Sequence, residues 1–241
     1  MIIEFLQSLM SDAPKWAKQQ NLVKESIAIG ARYRRHSRAW SSHLLKCQSE
    51  IEKFISENPK AKRIAIFGSG HLLDIPKDLL NQSGLEFFLF DAVHPRSVTK
   101  SLYKAKCHFI FCDLSQSAEQ IFKSHDDILK SCDLFISLNL LSQLALSGVS
   151  ASPLSPEERA KRAKEIISNH LSFLRALGGS HLLFTDFEKR FLNTADEVIE
   201  SESSIWNYDL GPAADTWLWD LAPIGEVSPD FRIELRVGLW K

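Results

Sequence analysis

The sequence predicts an α/β fold in which a mostly parallel sheet is covered by helices on both faces. Short apolar runs of strand length alternate with longer amphipathic segments over most of the chain. Such alternation is typical of a parallel sheet, because the crossover between two parallel strands is usually a helix that packs on the sheet. The alternation stops near the C-terminus, where two period-2 segments, 217–221 and 231–239, follow one another. They predict an antiparallel pair of strands joined by a loop rich in proline and glycine.

The first part of the chain, residues 1–60, is expected to be a helical extension. Apolar residues recur there at helical spacing: Leu44, Cys47, Ile51, Phe54 and Ile55. Asn58-Pro59 ends this helix, because the residue before a proline is pushed out of the α region. We therefore divide the chain into an N-terminal helical extension or lid, 1–60, and an α/β domain, 61–241.

Five apolar runs are predicted to be the parallel strands: 63–67, 85–90, 107–112, 134–138 and 181–185. The helices between and after them are expected at 75–82, 94–104, 117–130 and 156–177. The first strand ends in Gly68-Ser69-Gly70, and each of the others is followed by a polar residue: Asp91, Asp113, Asn139 and Asp186. Ligands of open α/β sheets bind beyond these carboxyl ends, so the strand ends are the candidate site.

The glycine turn and Asp91 together predict a nucleoside site. Glycine at positions 68 and 70 lets a ligand approach the backbone closely, where a Cβ would obstruct it. Asp91 stands 21 residues after Gly70 at the end of the next strand. A carboxylate in that place suits the two hydroxyls of a ribose. The alternative is a purely structural turn followed by an aspartate that caps a helix.

Taken together, these segments resemble the class I S-adenosylmethionine-dependent methyltransferases. The resemblance covers residues 63–241 and rests on IAIFGSGHLLDIP, FFLFDAVHP, FIFCDL, DLFISLNLLSQL and the closing strand pair. It implies a Rossmann-like seven-stranded sheet whose last strand is antiparallel, and S-adenosylmethionine as the cofactor. It also implies that Gly68 and Gly70 flank the methionine part of the cofactor and that Asp91 holds the ribose.

The same resemblance places the adenine at Asp113 and Leu114, and the sulfonium and the substrate at Asn139 and Leu140. The full set of predicted cofactor-binding residues is Gly68, Ser69, Gly70, Asp91, Ala92, Asp113, Leu114, Asn139 and Leu140. The chain departs from the family pattern at Ile66, where an acid is usual, and at Leu72, where a third glycine is common. These departures leave open a non-catalytic methyltransferase-like binding protein.

Three residues are candidates for a catalytic base: His71 in the glycine turn, His94 shortly after Asp91, and Asp186 at the predicted end of the fifth strand. A sulfonium methyl is already activated, so the protein must mainly align a nucleophile with it and exclude water. A base is needed only where the acceptor carries a proton in the bound state. Each of the three residues has a common structural role as an alternative, such as a helix cap.

The basic segment 32–40 of the extension is the candidate substrate contact. Arg34 and Arg38 share one helical face, and Arg32, Arg35 and His36 share another. We predict that this helix lies over the cleft as a lid. The predicted substrate-binding residues are Arg34, Arg38, Trp40 and His43. The alternative is a solvated helix whose cations pair with Glu25 or Glu50. Trp217 and Trp219 are expected in the core, and an aromatic substrate pocket is the alternative.

Composition excludes several classes of function. The chain of 241 residues is 44% hydrophobic with a net charge of -1, which argues against a broad cationic face for duplex nucleic acid. Its cysteines form no C-x-x-C pair and its histidines show no ligand spacing, so we expect no metal. The start lacks a basic n-region and the longest apolar stretch is interrupted by polar residues, which favours a soluble, cytoplasmic protein without a membrane span.

The predicted function is therefore an S-adenosylmethionine-dependent methyltransferase acting on a small molecule or a local protein site. A nicotinamide-dependent dehydrogenase remains an alternative, because a strand, a glycine turn and an acid at the next strand end are common to both kinds of site.

Overall fold

The computed structural model describes residues 11–102, 105–150 and 153–241. The helices are α1 (Lys15–Gln19), α2 (Leu22–Ser56), α3 (Lys77–Leu80), α4 (Arg96–Ser101), α5 (Ala118–Lys130), α6 (Leu141–Ser150) and α7 (Pro156–Ala176). The strands are β1 (Ser11–Asp12), β2 (Arg63–Phe67), β3 (Glu86–Asp91), β4 (His94–Pro95), β5 (Cys107–Phe111), β6 (Leu134–Leu138), β7 (Ser180–Asn193), β8 (Val198–Ser203), β9 (Asp215–Ala222) and β10 (Phe231–Trp240).

The central sheet has the order β5-β3-β2-β6-β7-β10-β9. Its first five strands are parallel, and β10 lies antiparallel between β7 and β9. The predicted fold class is thus confirmed, including the seven-stranded, mostly parallel sheet and its antiparallel last strand. An eighth strand, β8, pairs with the distal half of β7 and was not predicted.

The length of β7 corrects the prediction that the fifth strand ends at Asp186. β7 continues to Asn193, because β10 pairs with it from Leu183 to Asn193. Asp186 therefore lies inside a strand, next to a bulge where Val237 pairs with Asp186 and Arg236 pairs with Glu188. A helix-capping role for Asp186 is excluded by this position.

The segment after β3 also differs from its prediction as a helix over 94–104. His94 and Pro95 form a short antiparallel bridge with Ser11 and Asp12, and α4 begins only at Arg96. Pro95 is extended at this boundary and serves as the N-cap residue of α4. Positions 103 and 104 lie outside the described residues.

The core consists of two layers, one on each face of the sheet. Alternate residues of a strand point to opposite faces, so Phe67 packs with α5 and α7, whereas Ile66 packs with α3 and the end of α2. Both side chains are fully buried. The layers confirm helices on both faces, and they fix the strand ends around which the candidate site is built. Among the described helices, none is both long and apolar enough to cross a membrane.

The extension continues as α2, which has non-helical dihedral angles at His36. Its C-terminal half packs on the sheet through Ile51 and Phe54. Its N-terminal half reaches the glycine turn, where a Cβ on Gly30 would lie 2.5 Å from Cε1 of His71. The start of α2 therefore forms one wall of the space beyond the strand ends.

Candidate functional site

A cavity of about 170 Å³ opens at the carboxyl ends of β2, β3, β5 and β6. All nine residues predicted to contact the cofactor line it: Gly68, Ser69, Gly70, Asp91, Ala92, Asp113, Leu114, Asn139 and Leu140. The fold thus brings together residues from four separate strand ends. Their roles toward a cofactor remain predictions.

The glycine turn requires its glycines for two physical reasons. Gly68 and Gly70 have φ angles of +78° and +41°, in the left-handed region that disfavours side chains. A Cβ on Gly68 would lie 2.9 Å from the carbonyl oxygen of Leu138. This close approach keeps the turn of β2 tight against the end of β6, with the backbone exposed toward the cavity.

Asp91 ties the glycine turn to the end of β3. Its Oδ2 accepts a hydrogen bond from the Gly70 N–H at 2.7 Å, and its Oδ1 accepts one from the Val93 N–H at 3.1 Å. Burial raises the pKa of the Asp91 carboxyl, and these backbone donors oppose that shift. Because each carboxylate oxygen accepts more than one hydrogen bond, both retain capacity for ribose hydroxyls.

The third and fourth strand ends are shaped by local hydrogen bonds and by backbone conformation. Asp113 accepts hydrogen bonds from the backbone N–H and the hydroxyl of Ser115, at 3.1 and 2.6 Å. Asn139 has a φ of +45°, and its buried Oδ1 has no hydrogen-bond partner among the described residues. Leu72, at the position of the family's third glycine, also has a positive φ, +54°.

His71 lines the cavity but is turned toward α2. Its Nε2 lies 2.8 Å from the carbonyl oxygen of Ser26, an acceptor, so this nitrogen carries a proton and donates it. Burial lowers the pKa of His71. The imidazole is therefore neutral, and it holds the glycine turn against the extension.

His94 and Asp186, the other two candidate bases, do not line the cavity. His94 is buried beside Asp91, with Nε2 3.2 Å from the carbonyl oxygen of Ile110, and burial lowers its pKa. Asp186 accepts a hydrogen bond from the Ser142 hydroxyl at 2.5 Å, and burial raises its pKa. The hydrogen-bonding groups of both side chains are thus directed at other residues of the protein and not at the cavity.

The basic segment of the extension has a partner that was not predicted. Glu226, in the connection between β9 and β10, accepts hydrogen bonds from Arg32 at 3.3 Å and from Arg35, and it lies 2.7 Å from Nε2 of His36. Glu50, one of the two partners named in the alternative, pairs with Lys46 instead. The hydrogen bond from Arg35 is the main reason that the pKa of Glu226 falls to about 2.

Of the four residues predicted to bind the substrate, only one lines the cavity. Arg34 and Arg38 are exposed and do not line the cavity. Trp40 lines it, and its Nε1 donates to the carbonyl oxygen of Leu221 at 2.9 Å. His43 is fully buried just behind the cavity wall. Trp219, expected in the core with a substrate pocket as the alternative, is 8% exposed and lines the cavity as well.

His43 is held by two tryptophans and an acid. The indole N–H of Trp217 donates to its Nδ1 at 3.0 Å, and the ring of Trp219 stacks on it at 4.1 Å. Its Nε2 lies 3.4 Å from Oδ1 of Asp74, which lines the cavity. Sequence analysis missed Asp74, whose only signal was an acid four residues after Gly70.

The residue types of His43, Cys47 and Asp74 are those of metal ligands, and their donor atoms lie within 4.8 Å of one another. Two observations argue against coordination. An indole N–H is only a donor, so Nδ1 of His43 is unprotonated and Nε2 carries the proton. The Cys47 sulfur lies 3.9 and 3.7 Å from the two ring nitrogens, and so is not aligned with one lone pair.

The charged side chains that line the cavity are acidic. Four acids line it, namely Glu25, Asp74, Asp91 and Asp113, whereas no lysine or arginine of the described chain does. Partial burial raises the pKa of Glu25. Such a wall favours ligands that carry positive charge or present hydrogen-bond donors.

No protein-family model matches the sequence, and no curated protein is significantly similar. Among solved structures, 1,6-didemethyltoxoflavin-N1-methyltransferase from Burkholderia thailandensis, with bound 1,6-didemethyltoxoflavin and S-adenosylhomocysteine, is similar over 95% of this chain and 92% of that chain, at 13% identity and a TM-score of 0.44. The N-terminal domain of EvdMO1 with S-adenosylhomocysteine bound is similar over 81% of both chains, at 11% identity and a TM-score of 0.35.

A protein from Rhodobacter sphaeroides described as a Zn-dependent alcohol dehydrogenase matches 53% of this chain, at 12% identity and a TM-score of 0.35. This chain spans only 42% of that dehydrogenase. These likenesses are remote, and we build the functional proposal on the residues of this chain.

Proposed function

We propose that this protein is an S-adenosylmethionine-dependent methyltransferase whose acceptor is a small molecule. The observation that carries the proposal is the meeting of the four strand ends at one cavity, with Asp91 bonded to the glycine turn. Asp91 would hold the ribose, and the exposed backbone of Gly68 and Gly70 would border the methionine part. Asp113 with Leu114, and Asn139 with Leu140, would complete the site.

The acidic wall agrees with the charge of this cofactor. When bound, S-adenosylmethionine supplies a sulfonium methyl group, which carries a positive charge and is already activated for transfer. The residues present would bind it, exclude water and align an acceptor. We further propose that the start of α2 is the lid of the site, because Leu22, Glu25, Ser26 and Ile29 line the cavity.

A nicotinamide-dependent dehydrogenase fits this site less well. Dinucleotide sites place the pyrophosphate at the N-terminus of a helix that follows the glycine turn directly. Here the next helix, α3, begins only at Lys77 and has four residues. Asp74 also lies between the turn and that helix, where a carboxylate would repel a phosphate. The antiparallel β10 between β7 and β9 likewise differs from the parallel second half of a dinucleotide fold.

A non-catalytic protein that had lost its cofactor site would fill the cavity with its own side chains. Phe67 is instead fully buried in the core. His71 is bonded to Ser26, and a Cβ on Gly70 would make only ordinary contacts, with Oδ2 of Asp91 the nearest atom at 3.7 Å. These contacts favour a protein that retains a binding site.

Calorimetric titration with S-adenosylhomocysteine tests the proposal. We expect micromolar binding to the wild-type protein and at least about tenfold weaker binding to Asp91→Ala, since a hydrogen-bonded charged group contributes ~1.5–3 kcal/mol. Asp127→Asn is the control, because Asp127 is exposed on α5. Absence of heat with folded wild-type protein at millimolar ligand would refute the proposal, and tight binding of NADH instead would favour the dehydrogenase.

A further inference from the structure

The segment that follows the glycine turn contributes to the cavity a polar group that cofactor binding alone does not explain. Asp74 lines the cavity with 21% of its side chain exposed, and its Oδ1 lies 3.4 Å from Nε2 of the fully buried His43. None of the residues proposed to hold the cofactor requires this pair.

The protonation of His43 follows from its neighbours. The Trp217 indole N–H donates to Nδ1 at 3.0 Å, so the ring proton sits on Nε2. A second proton on Nδ1 would set two N–H groups against each other. The histidine therefore presents its Nε2–H on the side of Asp74, at a separation that a bound ligand can tighten.

A buried hydrogen-bond acceptor without a partner among the described residues lies beside this pair. Asn139 is 6% exposed and lines the cavity, and its Oδ1 has no partner among the described residues. Its side-chain nitrogen is 3.5 Å from the same Nε2 of His43. Since both nitrogens then carry protons, they are close without a hydrogen bond between them, and Asn139 and Asp74 lie around one point. A buried carbonyl oxygen without a partner costs ~1–3 kcal/mol, so a ligand that donates a hydrogen bond would be stabilised there.

We propose that Asp74 is the base that accepts the proton of the methyl acceptor, and that His43 and Trp217 position it. The inference rests on the proposed function. It assigns the acceptor to a chemical class: a neutral or cationic compound whose reacting nitrogen or oxygen bears a proton.

The step balances in atoms and charge. As the new bond between the acceptor and the methyl carbon forms, the S–C bond breaks with its electron pair on sulfur, and the acceptor's proton passes to the Asp74 carboxylate. His43 keeps its single proton throughout and stabilises the carboxylate by donation. The carboxylic acid then releases its proton to water when the products leave.

The aromatic surroundings support the same class of acceptor. Trp40 and Trp219 line this end of the cavity and meet edge to face, with ring centroids 4.9 Å apart. Aromatic side chains favour planar or cationic ligands over carboxylates. The acids of the wall would repel an anionic acceptor.

The experiment compares two ligands in one titration series. Sinefungin carries a protonated amine where S-adenosylmethionine carries its transferable methyl, whereas S-adenosylhomocysteine has no group there. We expect sinefungin to bind the wild-type protein about tenfold more tightly than S-adenosylhomocysteine, which corresponds to ~1.4 kcal/mol of attraction. In Asp74→Asn this preference, taken as the ratio of the two affinities in the same variant, should fall to about twofold or less. The matched control is Asp78→Asn, on exposed Asp78 of α3.

A sinefungin preference that survives Asp74→Asn would overturn the inference while leaving the proposed function intact. Absence of S-adenosylhomocysteine binding to the folded wild-type protein would instead refute the proposed function itself. The positioning role has its own readout, because ¹⁵N NMR of wild-type His43 should show the Nε2–H tautomer. Trp217→Phe should give a tautomer mixture and a smaller sinefungin preference, whereas Trp240→Phe should change neither. An Nδ1–H tautomer in the wild type would contradict the assignment.

Discussion

Gly30 of α2 and His71 of the glycine turn are packed so closely that the contact leaves no room for a methyl group. A Cβ on Gly30 would lie 2.5 Å from Cε1 of His71, whose Nε2 donates to the Ser26 carbonyl one turn earlier in the same helix. Glycine weakens a helix interior, so its presence here reflects the approach of α2 to the turn. This contact closes one side of the candidate site.

Gly30→Ala tests this contact. We expect the free energy of unfolding to fall by about 1–2 kcal/mol, because overpacking outweighs the gain in helix propensity. In the background of His71→Ala, the same change should stabilise the protein by about 0.5–1 kcal/mol, the usual advantage of alanine over glycine in a helix. Urea denaturation of the four proteins measures both values. Equal effects in the two backgrounds would show that residues 30 and 71 do not interact.

Glu226 links the connection between β9 and β10 to α2 through Arg32, Arg35 and His36. Glu226→Gln should lower the free energy of unfolding at pH 7 by about 1 kcal/mol, a modest value because the arginines are partly exposed to solvent. The exposed Glu200 of β8 provides the control, Glu200→Gln.

The effect of Glu226 should depend on pH in a defined direction. Its pKa falls from 4.5 to about 2 in the folded protein. Its stabilisation is therefore present above pH 4.5 and is lost as the pH falls toward 2. The difference between wild type and Glu226→Gln should shrink over this range in urea denaturation. A difference that grows on acidification would be inconsistent with this assignment.

Gly68 has both a positive φ and a close contact with a neighbouring strand. Gly84 has a positive φ without such a contact, so comparing the two glycines distinguishes the effects. Gly84 has a φ of +93° with nothing within 4 Å of its hypothetical Cβ, whereas at Gly68 the Cβ would lie 2.9 Å from the Leu138 oxygen. Gly84→Ala should cost about 1–2 kcal/mol for the left-handed conformation alone. Gly68→Ala should cost at least about 1 kcal/mol more, because backbone atoms must move.

Urea denaturation measures both costs, and calorimetry with S-adenosylhomocysteine shows their functional consequence. Binding should be lost in Gly68→Ala and retained in Gly84→Ala, which lies before β3 and away from the cavity. Similar stability losses in the two variants would mean that the end of β6 does not constrain the turn.

The sequence allowed the strand ends to be predicted because their chemistry is local. A glycine turn after an apolar run, and an acid after the next run, are visible within a few residues of one another. The nine cavity residues at these ends were therefore found without coordinates. The resemblance to a known family supplied the number of strands in the sheet and its antiparallel last strand, which local patterns cannot.

Contacts between distant segments could not be predicted. The hydrogen bond from Trp217 to His43 joins residues 174 positions apart, so neither the tautomer of His43 nor its pairing with Asp74 leaves a mark on local sequence. Glu226 lies equally far from the arginines that it binds. The position of Asp186 inside a strand could not be predicted for a related reason, because the length of β7 depends on its pairing with β10.

Asp186 is a buried carboxylate that lies outside the cavity, and its ionisation should affect stability and not ligand binding. Its Oδ1 accepts from the Ser142 hydroxyl at 2.5 Å, and burial raises its pKa above 3.8. The folded protein therefore holds this proton more tightly than the unfolded chain does. It follows that ionisation of Asp186 destabilises the fold as the pH rises above 3.8.

Asp186→Asn should accordingly be as stable as the wild type at pH 7, within about 1 kcal/mol, or more stable, because it removes a buried charge and retains an acceptor. Ser142→Ala should instead cost about 1.5–3 kcal/mol at pH 7, since it takes a hydrogen bond from a buried carboxylate. Denaturation at pH 4 and pH 7 should show that the Ser142→Ala deficit is smaller at the lower pH. Both variants should bind S-adenosylhomocysteine like the wild type, because Asp186 does not line the cavity. A loss of several kcal/mol in Asp186→Asn would mean that the fold needs the negative charge at this bulge, as it would if a buried cation faced the carboxylate.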